Sequence, residues 1–119
     1  MEINVDNLRM VNGQIKPING MTEKLVSIFN SLNRESFIPK EFKESAYIEK
    51  NLALSNNRVI LKPEIVAKIA MHIDLKENEN VLILGSTTGY LTAILSLIAE
   101  TVIVVEEDNK YIKLSLIHI

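Results

Sequence analysis

The stretch from Val81 to Val105 constrains the fold more than any other part of the chain. Val81-Leu82-Ile83-Leu84 is an unbroken run of Leu and β-branched residues, and Val102-Ile103-Val104-Val105 repeats it. Between them Leu91, Ile94, Leu95 and Ile98 recur at helical spacing, introduced by Gly85-Ser86-Thr87-Thr88-Gly89. An apolar run without alternation reads as a strand buried on both faces, as in a parallel sheet. Two such strands joined by a helix form a βαβ unit, whose crossover is right-handed in nearly all cases. The expectation is an α/β chain with parallel strands at Val81 to Leu84 and Val102 to Val105 and a helix at Tyr90 to Ile98.

The first half follows a different pattern. Val5, Leu8, Val11 and Ile15 recur at three- and four-residue steps and predict a helix over Val5 to Ile15 with those residues as its apolar stripe. Pro17 should end it near Lys16, with Asn19-Gly20 as turn residues. Thr22 is placed to cap a second helix running to Leu32, whose core face is Leu25, Ile28, Phe29 and Leu32. Ser36-Phe37-Ile38-Pro39 reads as an extended step into a short polar helix over Lys40 to Ala46. The pattern changes at Arg58-Val59-Ile60-Leu61. Pro63 then suits the first position of a helix to Ile73, with Ile65, Val66, Ile69, Ala70 and Ile73 inward and Glu64 at the positive end of the dipole. One domain-sized unit over 1–119 is expected, divided into a helical part, 1–57, and the start of a cofactor-binding core, 58–119.

Composition narrows the function. With 119 residues, 47% apolar and 24% charged, the chain should bury a core. A net charge of −2 gives no electrostatic footprint for nucleic acid or for a membrane surface. Zero cysteines exclude disulfides, thiolate catalysis and cysteine-ligated zinc, and fit a cytoplasmic protein. His72 and His118 lie far apart and neither joins an acidic cluster, so no metal site is expected. His72 reads as a helix-end residue and His118 as part of the tail.

A strand that ends in a glycine-bearing turn feeding a helix, with an acid at the end of the next strand, is the pattern of a nucleotide-type cofactor site. Here the turn is Gly85 to Gly89 and the acid is Glu106, first of Glu106-Glu107-Asp108. The glycines let backbone approach a ligand, the helix start offers N–H groups, and Glu106 is placed to accept hydroxyl hydrogens from a ribose. The same features also suit a tight βα turn and a solvated strand end. A P-loop is excluded because Tyr90 and Leu91 stand where Gly-Lys would be needed, and G-x-G-x-x-G fails at Thr87 and Tyr90.

Met10-Val11-x-x-Gln14-Ile15, Gly20-x-Thr22, Arg34-Glu35-x-Phe37-Ile38-Pro39, Ala46-Tyr47, Pro63 and Gly85-x-x-x-Gly89-Tyr90 occur in that order over about Arg9 to Lys110. Together they resemble the protein-L-isoaspartate (D-aspartate) O-methyltransferases. The resemblance implies a Rossmann-like class I methyltransferase fold, of which this chain would supply an N-terminal helical layer plus the opening βαβ unit of the parallel sheet. It implies S-adenosylmethionine as cofactor and isoaspartyl-containing proteins or peptides as substrates. The carboxylate is methylated, and the ester decays through a succinimide that returns part of the damage to aspartate. By the same resemblance Gly85, Ser86, Thr87 and Gly89 lie under the methionine part of the cofactor and Glu106 holds the ribose. No catalytic side chain is implied, because the substrate carboxylate is already ionised.

The chain departs from the family pattern at several residues. Ile83 stands where the family usually has an acid, and Thr87 where it has a central turn glycine. Val59-Ile60-Leu61-Lys62-Pro63 aligns with the substrate segment Thr-Ile-Ser-x-Pro, so Ile60 and Leu61 match its positions without its serine. Weakened cofactor binding and no detectable turnover follow as expectations. Lys113 to Ile119 departs from the amphipathic helix of the family, and the chain reads as a C-terminally truncated member. Its uncovered sheet edges are then expected to promote self-association. The alternative is a non-catalytic interaction module or decayed gene product that keeps part of the core; a different nucleotide-binding α/β protein is a third reading.

Overall fold

The computed structural model describes residues 4–54 and 57–107. Asp108, His118 and the segment Lys113 to Ile119, singled out above, lie outside the described residues. The first helix, α1, spans Val5–Met10, and Asn4 caps it by accepting the Asn7 N–H at 2.9 Å. The chain then widens into a π-helical turn over Val11–Ile15, closed by the Lys16 N–H to the Val11 carbonyl at 2.8 Å. The expected apolar stripe is corrected here. Val11 and Ile15 are buried, but Val5 and Leu8 are 53% and 38% exposed, and Asn7 and Met10 face inward instead. Polar pairing sets that orientation: Asn7 Nδ2 donates to the Phe29 carbonyl at 3.2 Å, and Asn7 Oδ1 accepts the Arg34 N–H at 3.0 Å.

Helix α2, Glu23–Ser31, is capped by Thr22 as expected, through its hydroxyl and the Leu25 N–H at 3.2 Å. Leu25 and Phe29 are buried, with Ile28 and Leu32 packed against the core edge. The extended step expected at Ser36 begins later. Arg34–Phe37 forms a 3-10 turn, capped by Asn33 accepting the Glu35 N–H at 3.1 Å, and only Ile38 and Pro39 are extended. The short helix that follows is a 3-10 helix over Lys40–Ser45.

A two-stranded antiparallel hairpin comes next, β1 (Leu52–Ala53) against β2 (Val59–Ile60), with Leu52 opposite Ile60. Strands this short show no alternation in the sequence. Helix α3, Pro63–Ile73, starts at Pro63 and buries Val66, Ala67 and Ala70, while Ile73 is 44% exposed. Asp74 ends it in the left-handed conformation at φ 49°.

The βαβ unit has the expected form. Strand β3 (Asn80–Leu84) runs parallel to β4 (Thr101–Val105), in register from Asn80 opposite Thr101 to Leu84 opposite Val105. Helix α4, Tyr90–Ser96, connects them. Burial on both faces does not hold, however. Val81 and Ile83 pack toward the helices, whereas Leu82, Leu84, Ile103 and Val105 are 57%, 72%, 56% and 50% exposed. The side chains alternate across the pleat, and among the described residues the helical core packs on the face that carries Val81 and Ile83. No helix among the described residues is long and apolar enough to cross a membrane.

The main core gathers Met10, Val11 and Ile15, Leu25 and Phe29, Val66 and Ala70, and Ile94 and Leu95. Tyr90, first residue of α4, is driven into it. Its ring meets Phe29 edge-on at 6.1 Å and Phe37 at 5.5 Å. The helical layer thus grips the start of α4, directly after the glycine turn.

Candidate functional site

The turn after β3 is shaped by three left-handed residues. Gly85 has φ 73°, Thr87 φ 50° and Gly89 φ 89°. Left-handed backbone is open to glycine and costs an L residue about 1–2 kcal/mol. The fold imposes the conformation at Thr87 even though a β-branched residue occupies it. Local bonds compensate: the Thr87 hydroxyl donates to the Ser86 carbonyl at 2.7 Å, and its N–H donates to Glu106 Oε1 at 2.8 Å. The Gly85 N–H donates to the Val105 carbonyl at 2.7 Å, which fixes the turn against the end of β4.

A cavity of about 230 Å³ lies above this turn, with Ile60 and Leu61 on one wall and Gly85, Ser86, Thr87 and Tyr90 on the other. The two segments separately singled out in the sequence, one for cofactor and one for substrate, therefore share one space. Ser86 Oγ, Thr88 Oγ1 and the Tyr90 hydroxyl, all from residues lining it, are buried without a hydrogen-bond partner among the described residues. Ile83 lines the same space, in place of an acid. Gly89 does not line it and serves as the N-cap of α4. His72 is exposed in the last turn of α3.

Glu106 lies beside the cavity, across Gly85, and is already engaged. Arg58 Nη1 and Nη2 each donate to one of its carboxylate oxygens at 2.6 Å. The Glu106 side chain is 3% exposed and that of Arg58 24%. A Cβ built on Gly85 would stand 3.3 Å from Arg58 Nη2, so the glycine also makes room for this guanidinium. Arg58 and Glu106 border a second, open cleft of about 390 Å³ with Leu84, Gly85 and Val105.

Arg34 supports the first cavity from behind. It is fully buried; its Nε donates to the Ala46 carbonyl at 2.7 Å and its Nη2 to the Leu61 carbonyl at 3.0 Å. The guanidinium carbon lies 4.9 Å from the centre of the Tyr90 ring. Burial lowers the Arg34 pKa and raises that of the Tyr90 phenol. One buried cation thereby fixes both the Leu61 wall and the residue that opens α4. Sequence reasoning named Arg34 within a family motif and Arg58 at a change of pattern, and gave neither a role in the site. Arg34 was visible only as a charge inside an apolar motif, and Arg58 only as the residue before Val59-Ile60.

The comparisons with known proteins bear on the family and the fold. The family model for protein-L-isoaspartate(D-aspartate) O-methyltransferase matches residues 7–116. A protein-L-isoaspartate O-methyltransferase of Petrotoga mobilis is 30% identical over 109 residues, covering 92% of this chain and 51% of its own length. One of Dictyoglomus turgidum is 34% identical over 100 residues, covering 78% of this chain and 46% of its own. The chain thus spans about half the length of these relatives. Among solved structures, a Plasmodium falciparum protein of that description, in complex with S-adenosyl-L-homocysteine, superposes with a TM-score of 0.76 at 18% identity, over 94% of this chain and 54% of its own. Another protein-L-isoaspartate O-methyltransferase superposes with a TM-score of 0.69 at 21% identity.

Proposed function

Since the chain belongs to the protein-L-isoaspartate (D-aspartate) O-methyltransferase family, we propose that its site is built for S-adenosylmethionine-dependent methylation of isoaspartyl carboxylates. The observation that carries this reading is the shared cavity. Ile60 and Leu61, at the positions of the family's substrate segment, face Gly85, Ser86 and Thr87 across about 230 Å³. The unpartnered hydroxyls of Ser86, Thr88 and Tyr90 fit a ligand that brings hydrogen-bonding groups into the space. When bound, the cofactor supplies a methyl group on a cationic sulfur. Gly85 to Gly89 would lie under its amino-acid part and Glu106 at its ribose. The incoming carboxylate needs no base, so the work of these residues is positioning and exclusion of water. The cytoplasm is the compartment this reading favours, in keeping with a chain free of cysteine.

Affinity is set low by three residues. Ile83 offers no carboxylate to an ammonium group, Thr87 places a branched side chain on the turn, and Leu61 has no hydroxyl for the substrate. Hydrogen bonds to charged groups are each worth about 1.5–3 kcal/mol, so two such losses lower affinity or rate on the order of 10² to 10⁴. A second reading, a non-catalytic protein that retains this core, is favoured by the apolar Leu61 side chain in the substrate wall. Two measurements separate them. Isothermal titration of the chain with S-adenosylmethionine should show weak heat that grows when Ile83→Asp and Thr87→Gly are introduced together. Transfer of a labelled methyl group to an isoaspartyl peptide by those variants, and not to its aspartyl counterpart, supports the enzyme reading. Binding without transfer in every variant supports the non-catalytic one.

A further inference from the structure

We infer that Arg58 is a specificity-determining residue of the cofactor site, an intramolecular occupant of Glu106 that a nucleoside diol must displace. The inference rests on the reading of Glu106 as the ribose-binding acid. Both carboxylate oxygens accept from Arg58 at 2.6 Å, and Oε1 also accepts the Thr87 N–H at 2.8 Å. The carboxylate side chain is 3% exposed, so its lone pairs are taken up inside the protein. The guanidinium reaches over Gly85, close enough that a Cβ there would approach it to 3.3 Å. It therefore covers the place from which two vicinal hydroxyls would approach Glu106.

The competition is unequal. A bidentate guanidinium–carboxylate pair combines two charge-assisted bonds in a fixed fork, whereas two hydroxyls offer neutral donors to the same oxygens. Ligand binding is then limited to the fraction of molecules in which Arg58 has swung away, and the apparent dissociation constant rises by the inverse of that fraction. Arg58 sits on the loop side of β2 and its side chain is 24% exposed, so it has solvent to swing into. Among the described residues no charged side chain lines the hydroxyl-bearing cavity on the other side of Gly85. The latch consequently acts on the ribose end of a ligand and leaves the amino-acid end alone.

Isothermal titration with S-adenosyl-L-homocysteine and with its 2′,3′-dideoxy analogue tests this on the full chain. The proteins are the wild type, Arg58→Gln and Arg58→Lys, with thermal melts to show that each is folded. The expected result is at least tenfold tighter binding of S-adenosyl-L-homocysteine by Arg58→Gln, a smaller gain in Arg58→Lys, which cannot bridge both oxygens, and no change for the dideoxy analogue. Equal or weaker binding of S-adenosyl-L-homocysteine by Arg58→Gln, with the wild type binding, overturns the latch and leaves the cofactor reading intact. Equal tightening of both ligands also overturns it, since Arg58 would then obstruct by bulk without competing for Glu106. Failure of every folded protein to bind either ligand overturns the cofactor reading and the latch with it.

Discussion

Arg58 and Glu106, 48 positions apart, close a two-bond ion pair that ties the β1–β2 hairpin to the end of β4. Hairpin and parallel pair share no strand pairing, so this side-chain bridge joins two separate small sheets. A pair buried on its carboxylate side is worth more than a surface bridge, because removing one partner leaves a charge out of water. Arg58→Ala should lower stability by about 2–3 kcal/mol. Urea denaturation of Arg58→Ala, Glu106→Ala and the double variant should give a coupling energy of about 1.5–3 kcal/mol. A coupling under about 0.5 kcal/mol would mean that the bridge does not hold the sheets together.

Tyr90 makes stability sensitive to alkali. Burial raises its pKa above the ordinary 10.0, and the nearby Arg34 charge offsets only part of that. The native state therefore keeps the proton after the unfolded chain has released it. The stabilisation is complete below pH about 10 and falls as pH rises toward the higher folded value, by up to about 1.4 kcal/mol per pH unit. Tyr90→Phe should remove this slope while Tyr47, whose pKa burial also raises, keeps its own. Because the Tyr90 hydroxyl has no hydrogen-bond partner among the described residues, the variant should lie within about 1 kcal/mol of wild type at neutral pH. Urea midpoints at about pH 8 and pH 11 provide the check; parallel losses in both proteins would refute it.

Among the described residues, Asn57, Asp74 and Thr87 hold left-handed backbone without being glycine. Thr87 has φ 50° in the turn and Asp74 φ 49° at the end of α3, where its charge also faces the negative end of the helix dipole. Thr87→Gly and Asp74→Gly should each raise stability by about 0.5–1 kcal/mol, the relief of strain exceeding the added freedom of the unfolded chain. Thermal melts of each variant against the wild type measure this. A fall in melting temperature for both would show that neighbouring bonds, such as that of the Thr87 hydroxyl to Ser86, outweigh the strain.

What could be read from the sequence was governed by periodicity. Leu25 and Phe29 declare the inner face of α2, and the two aliphatic runs declare β3 and β4, because apolar burial repeats with the element. The buried polar groups were hidden for the opposite reason. Asn7 and Arg34 count as surface residues in any hydropathy pattern, yet the Asn7 side chain orients α1 through the Arg34 N–H, and the Arg34 guanidinium separately holds the Leu61 wall. Thr87 argues by its own preference against the conformation it adopts, so the turn was legible only through its flanking glycines. Glu106 was visible as a candidate ligand, but its partner was not, since nothing local relates residue 58 to residue 106. The face of the sheet left open was hidden too, because an unbroken apolar run looks the same whether one side or both are covered.

That open face yields the last prediction. Leu82 stands opposite Ile103 and Leu84 opposite Val105, and all four are at least half exposed on the side away from the helices. A contiguous aliphatic ladder of this kind is sticky in water, and the chain should self-associate with rising concentration and bind a hydrophobic dye. Two routes are open, pairing at strand edges through backbone groups or packing face to face through side chains. They respond differently to substitution. Leu84→Lys with Ile103→Lys places charge on the face while leaving the backbone edges unchanged. Since both residues are already largely solvated, the change in folding stability should be within about 0.5–1 kcal/mol. Sedimentation of the double variant should shift toward monomer and dye binding should fall severalfold if the face is the contact. Unchanged association would assign it to the edges, and a wild type that sediments as a clean monomer at every concentration would refute self-association by either route.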